Sequence, residues 1–136
     1  MKFNGTSWII VGQAGFSAGE ARDCSIAYSS TGEPYLAYLD YANAYKATVM
    51  KFDGTSWVNV GPAGFTSNPA GFTKILFSSS GEPYVAYVDA NSAALMKFDG
   101  ASWVNVGQPG FSAGSAQFLS FAFSNTGEPY VAYEDN

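Results

Sequence analysis

The sequence predicts an all-β chain of β-propeller blades, each made of four antiparallel strands. Three observations predict it: a unit occurring three times, glycine-punctuated β-rich segments inside each unit, and strands that are apolar on both faces. The phrase MKFDGTSWVNVG at Met50 returns as MKFNGTSWIIVG at Met1 and as MKFDGASWVNVG at Met96. Trp8, Trp57 and Trp103 lie 49 and 46 residues apart, and GEPY begins at Gly32, Gly81 and Gly127 with the same two spacings. A period in this range with four strands per unit is that of propeller blades.

Within a unit the first strand reads SIAYSS from Ser25, KILFSS from Lys74 and SFAFSN from Ser120. A glycine-containing turn follows. Pro34, Pro83 or Pro129 then opens the second strand, where a missing N–H does least harm to the ladder. That strand is YLAYLD from Tyr35, YVAYVD from Tyr84 and YVAYED from Tyr130. Tyr35, Ala37 and Leu39 point one way, Leu36 and Tyr38 the other. A strand with one wet face would alternate with polar residues, so the sheet is expected to lie between two others. The third strand is ATVMKF from Ala47 and AALMKF from Ala93. Asp53-Gly54 and Asp99-Gly100 form tight turns whose central residues both accept positive φ, and Asn4-Gly5 does the same in the first copy. The fourth strand, SWVNV, starts at Ser56 and Ser102. The Gly, Pro and β-rich segments exclude helical solenoids, and the unit is too long for one coil of a parallel β-helix.

Composition narrows the function classes. Charged residues are only 12% of the chain, about half the usual share, and the net charge is −5. Nucleic acid as a partner is therefore not expected. No run approaches a membrane span and no signal-peptide pattern opens the chain, so membrane insertion is not expected either. There is no histidine, which removes Ser-His-Asp and Cys-His catalysis and histidine metal sites. Cys24 is alone and reads as a packed thiol. No cofactor and no metal are expected. Glu33, Glu82, Glu128, Asp40, Asp89 and Asp135 recur once per unit, whereas a glycosidase needs one carboxylate pair per site. They read as turn and strand-end residues, and the chain is not expected to be an enzyme.

KFDGTSW at Lys51 and SSTGEPYLAY at Ser29 resemble the blade signatures of bacterial β-propeller repeat proteins, over essentially the whole chain. The D-G-x-S-W piece is similar to the Asp-box turn of sialidase-type propellers, but its spacing departs from that box and Arg22 is the only arginine. That likeness implies the hairpin and not the activity. The resemblance to repeat propellers implies an extracellular or cell-surface setting.

Counted in strands, the array 1–136 divides into an outer half-blade with its connection (1–23), two whole blades (24–71 and 72–116) and an inner half-blade (117–136). Propeller rings are commonly locked by pairing such halves within one blade. Rings typically hold four to eight blades, so three cannot close alone. A homodimer forming a six-bladed ring is expected; a trimer would give nine blades, outside the common range. The alternative is a piece of a longer surface propeller.

Ligand-binding candidates come from what differs between copies. GQAGFSAGEARDC from Gly12 and DYANAYKAT from Asp40 concentrate Glu20, Arg22, Asp23, Tyr41, Asn43, Tyr45 and Lys46 on the first copy. Aromatic faces beside hydrogen-bonding groups suit a sugar. The three tryptophans read as interblade wedges in preference to sugar platforms. The expected function is a non-catalytic, self-assembling recognition module with glycans as ligand class; the alternative is a structural or protein-interaction scaffold.

Overall fold

Turn chemistry sets every hairpin of the computed structural model, which describes residues 1–136. In the GEPY turns the Ser29, Ser78 and Ser124 hydroxyls accept the N–H groups of Glu33, Glu82 and Glu128, while Gly32, Gly81 and Gly127 take positive φ. In the Asp-Gly turns Asp53 Oδ1 accepts the N–H groups of Thr55 and Ser56, both at 2.9 Å. Asp99 and Asn4 repeat that pattern, and only the glycine of each pair takes positive φ, so these are four-residue turns in place of the two-residue ones the sequence suggests.

The strands between these turns are β1 (Lys2–Phe3), β2 (Trp8–Ile9), β3 (Ala21–Tyr28), β4 (Pro34–Asp40), β5 (Lys46–Phe52) and β6 (Trp57–Asn59). They continue with β7 (Ala70–Phe77), β8 (Pro83–Asp89), β9 (Ser92–Phe98), β10 (Trp103–Asn105), β11 (Ala116–Phe123) and β12 (Pro129–Asp135). The sheets β3-β4-β5-β6 and β7-β8-β9-β10 are complete antiparallel meanders; β1-β2 and β11-β12 are separate two-stranded pairs. The two pairs do not join within one chain, and no closed barrel forms.

The first strands begin earlier than Ser25, Lys74 and Ser120, because each crosses a β-bulge and pairs again beyond it. Asp23, Phe72 and Phe118 sit at the bulges with positive φ, which breaks the two-residue alternation that a sequence reading follows. The one helical element, the 3-10 turn η1 (Tyr41–Asn43), was not expected. It accounts for the longer first period: β8 and β9 are joined by Ala90-Asn91 alone, both at positive φ, whereas β4 and β5 are joined by residues 41–45.

The sheet β7-β10 is sandwiched, as the two apolar faces of its second strand require. On one side Ile75, Val85 and Tyr87 pack with Ala37, Leu39 and Val49; on the other Ala86, Val88 and Leu95 pack with Ala116, Leu119 and Phe121. Two of the three tryptophans, Trp57 and Trp103, are wedges between sheets. Trp57 Nε1 donates to the Val11 carbonyl at 3.0 Å and Trp103 Nε1 to the Val60 carbonyl at 2.8 Å. Each indole stacks on a phenylalanine of the preceding loop, Phe16 at 4.6 Å and Phe65 at 4.4 Å. Tyr35–Phe77 adds an edge-to-face contact at the Trp103 joint, and Tyr84–Phe123 makes the same contact at the joint between β7-β10 and β11-β12.

At the two outer faces the same locks are half made. Trp8 is 66% exposed where Trp103 is 7% exposed, and Ile26 is 58% exposed where its counterpart Ile75 is 1% exposed. Tyr28 on one side, and Phe111 and Tyr130 on the other, are likewise exposed. The ion pairs Lys51–Glu33 and Lys97–Glu82 recur at 3.0 and 2.8 Å, while Lys2 and Glu128 have no such partner in the chain.

Candidate functional site

The sequence-derived candidates lie on the rim that carries the β4–β5 loop and the loops between sheets. Asp40 caps η1 by accepting the Ala42 N–H, and Ala44 and Tyr45 turn the chain back at positive φ. This presents Tyr41 and Tyr45 edge to face, ring centroids 5.0 Å apart, 54% and 39% exposed. The corner is anchored on both sides: the Tyr41 N–H donates to the Glu20 carbonyl at 3.0 Å, and the Tyr45 carbonyl accepts the Ala70 N–H at 2.9 Å. Arg22 Nε donates to Glu20 Oε1 at 2.7 Å. That bond and the Glu20 charge raise the guanidinium pKa, with smaller contributions from Tyr45 and Asp23.

Glu20, Arg22, Tyr41 and Tyr45 are thus brought together. Asp23 and Asn43 are engaged elsewhere. Asp23 Oδ2 accepts the Phe72 N–H at 3.0 Å and its carbonyl accepts the Thr73 hydroxyl, joining two first strands. Asn43 Nδ2 donates to Asp40 Oδ2 at 2.8 Å. Asn43 and Lys46 also crowd Gly64, where an added Cβ would lie 2.8 Å from the Asn43 Cβ and 3.4 Å from the Lys46 Cβ.

The opposite rim, bearing the GEPY and Asp-Gly turns, holds a cleft of about 450 Å³ that sequence reasoning missed. It opens where the sheets β3-β6 and β7-β10 meet. Tyr35, Lys51 and Asn59 form one wall; Glu82 and the Phe98–Gly100 turn form the other. Its walls come from residues about fifty apart in the chain, so no local motif marks it. The signal that was available is that Tyr, Lys, Asn and Glu each recur at fixed places in the unit.

No family model matches this sequence, and no curated protein matches it by sequence. Among solved structures, a fucose lectin from Kordia zhangzhouensis in complex with methyl-fucoside matches 82% of this chain and 82% of its own, with a TM-score of 0.55. Identity is 14%. The likeness is one of fold.

The recurring glutamates are poorly suited to acid catalysis. Glu33 is held below the ordinary range by its hydrogen bond from Lys51 and then by Thr31; Glu82 is held there by Lys97 and Ser80. Glu128 is lowered by the Ser124 and Thr126 hydroxyls. Cys24 is exposed in the single chain and not packed as the sequence suggests; partial desolvation, and then the Asp23 charge, push its thiol up, away from the reactive thiolate. A carboxylate depressed in the folded chain stabilises above its unfolded pKa and loses that contribution as pH falls through the folded one. For Lys51 and Lys97, raised chiefly by the same bonds, the loss comes as pH rises through the folded value. Thermal stability should therefore be flat between about pH 5 and 9. It should fall below the ordinary glutamate value of 4.5, which melting curves across the range would check.

Proposed function

We propose that this chain is a non-catalytic, carbohydrate-binding β-propeller, completed as a six-bladed ring by two copies. The carrying observation is the Tyr41–Tyr45 corner beside Arg22. Two exposed rings, fixed by backbone bonds on both sides, offer apolar faces at little entropic cost, with a charged fork and phenol hydroxyls alongside. The fold shared with the Kordia zhangzhouensis fucose lectin supports the same ligand class. An extracellular or surface setting accords with that reading.

The assembly is supported by the half-made locks. Trp8 fits the carbonyl of Val106 and the ring of Phe111 on a second copy, as Trp103 fits Val60 and Phe65. Tyr28 fits Tyr130, and Lys2 fits Glu128, by the same correspondence. A glycan array probed with the assembled protein tests the function. Binding of at least one glycan is expected, weakened roughly tenfold or more by Tyr45→Ala, a loss of about 1.4 kcal/mol. An intact ring that binds no glycan would favour a protein-interaction scaffold instead.

A further inference from the structure

The cleft at the joint between sheets is dictated by the repeat, so its chemistry can be followed around the fold. Tyr35 and Glu82 come from GEPY segments, Lys51 from MKFDG and Asn59 from SWVNV. At the next joint the same positions are Tyr84, Glu128, Lys97 and Asn105. One wall is missing there. A Cβ on Gly61 would lie 3.0 Å from both Phe98 and Trp103, whereas one on Gly107 would meet nothing within 4 Å. The absent wall corresponds to the Phe3-Asn4-Gly5 hairpin, which in a closed ring comes from a second copy. The remaining joint, between β1-β2 and β3-β6, is different. Ile10 stands where Asn59 and Asn105 stand elsewhere, and the space of about 280 Å³ there is lined mainly by Met1, Val11, Ile26, Tyr28, Phe52 and Trp57.

We propose that the polar joints are a second set of binding sites, distinct from the Tyr41–Tyr45 corner, each taking one neutral polyhydroxylated ring such as a single sugar unit. A two-chain ring carries four: two within chains, around Asn59, and two around Asn105, each completed by Asn4 and Gly5 of the other copy. The inference rests on the carbohydrate reading but on different residues. Volumes of about 300–1,000 Å³ with a few converging polar groups suit small ligands, and the cleft falls in that range. Lys51 and Lys97 are already neutralised by Glu33 and Glu82, so the cleft does not call for a charged ligand. It offers directional donors and acceptors beside a tyrosine ring, with the Lys51 Nζ 5.9 Å from the Tyr35 centroid. The amides of Asn59 and Asn105 are exposed and donate to nothing in the chain, leaving both a donor and an acceptor for a ligand.

Titration calorimetry of the assembled protein with methyl-fucoside, and with a panel of other methyl glycosides, tests this. Asn59→Ile and Asn105→Ile carry the side chain that the chain itself uses at position 10, on exposed strand ends, so folding and mass should be kept. Each variant is expected to lose one site per chain, and the double variant two, while any signal that Tyr45→Ala removes persists. Binding with unchanged stoichiometry in both variants would overturn the cleft sites and leave the rim reading standing. Loss in Asn59→Ile alone would overturn the site shared between copies. No binding by any glycoside would overturn both this inference and the carbohydrate reading.

Discussion

Trp8→Ala should leave each chain folded and convert the species in solution from two chains to one. The expected mass falls from twice 14.4 kDa to 14.4 kDa, read by light scattering or sedimentation. Trp8 makes few contacts within its own chain: it pairs with Phe3 at 5.6 Å and is otherwise exposed. Its counterparts Trp57 and Trp103 each make an indole hydrogen bond and a stacked contact across a joint. If the ring closes, Trp8 makes those contacts on Val106 and Phe111 of the neighbour, and the ring contains two such contacts. Truncating a packed tryptophan costs about 3–5 kcal/mol. Losing two should raise the dissociation constant by at least about 10⁴, at 1.4 kcal/mol per tenfold. Trp103→Ala, the same change at an internal joint, should instead lower the melting temperature of the chain. Should Trp8→Ala retain the two-chain mass, or the unaltered protein prove monomeric, the shared ring fails.

The contrast between these tryptophans also marks what was legible beforehand. Units, strand order and turns are written in short-range chemistry: Pro34 after a glycine turn, Asp53 beside Gly54, Trp57 at a fixed offset. The wedge role of tryptophan and the burial of both sheet faces follow from recurrence and two-sided hydrophobicity. What was hidden depends on backbone that breaks period. The bulges at Asp23, Phe72 and Phe118 put non-glycine residues at positive φ, which no residue type there announces. Asp23 is charged and unique to its copy, which marks it as a ligand candidate in the sequence, and its carboxylate accepts the Phe72 amide of the next sheet, which the sequence does not show. Conversely Asp40 reads as the end of a strand, although it organises the rim.

Asp40→Ala should both destabilise the chain and weaken glycan binding at the Tyr41–Tyr45 corner, without touching either ring. Asp40 is buried, and its carboxylate accepts the Ala42 N–H at 3.1 Å, the Asn43 amide at 2.8 Å and the Thr48 hydroxyl at 2.9 Å. The Thr48 oxygen in turn accepts the Gly64 N–H at 2.8 Å, so one carboxylate ties η1, β5 and the loop toward β7. A hydrogen bond to a charged group contributes about 1.5–3 kcal/mol, and unsatisfied donors left behind add to the loss. Melting should fall by roughly 5–10 °C, at a few degrees per kcal/mol for a chain of this size. Affinity at the rim should drop with it, because the carboxylate fixes the η1 turn that leads into Ala44 and Tyr45 at positive φ. The second sheet supplies the converse. Asp89 occupies the place of Asp40, but Ala94 stands where Thr48 does, and Asp89 Oδ1 is buried with no partner. Ala94→Thr should supply the missing hydroxyl and raise stability by about 0.5–1.5 kcal/mol. If Asp40→Ala proved neutral and Ala94→Thr destabilising, these aspartates would be strand ends and nothing more, and the rigidity claimed for the tyrosine corner would need another source.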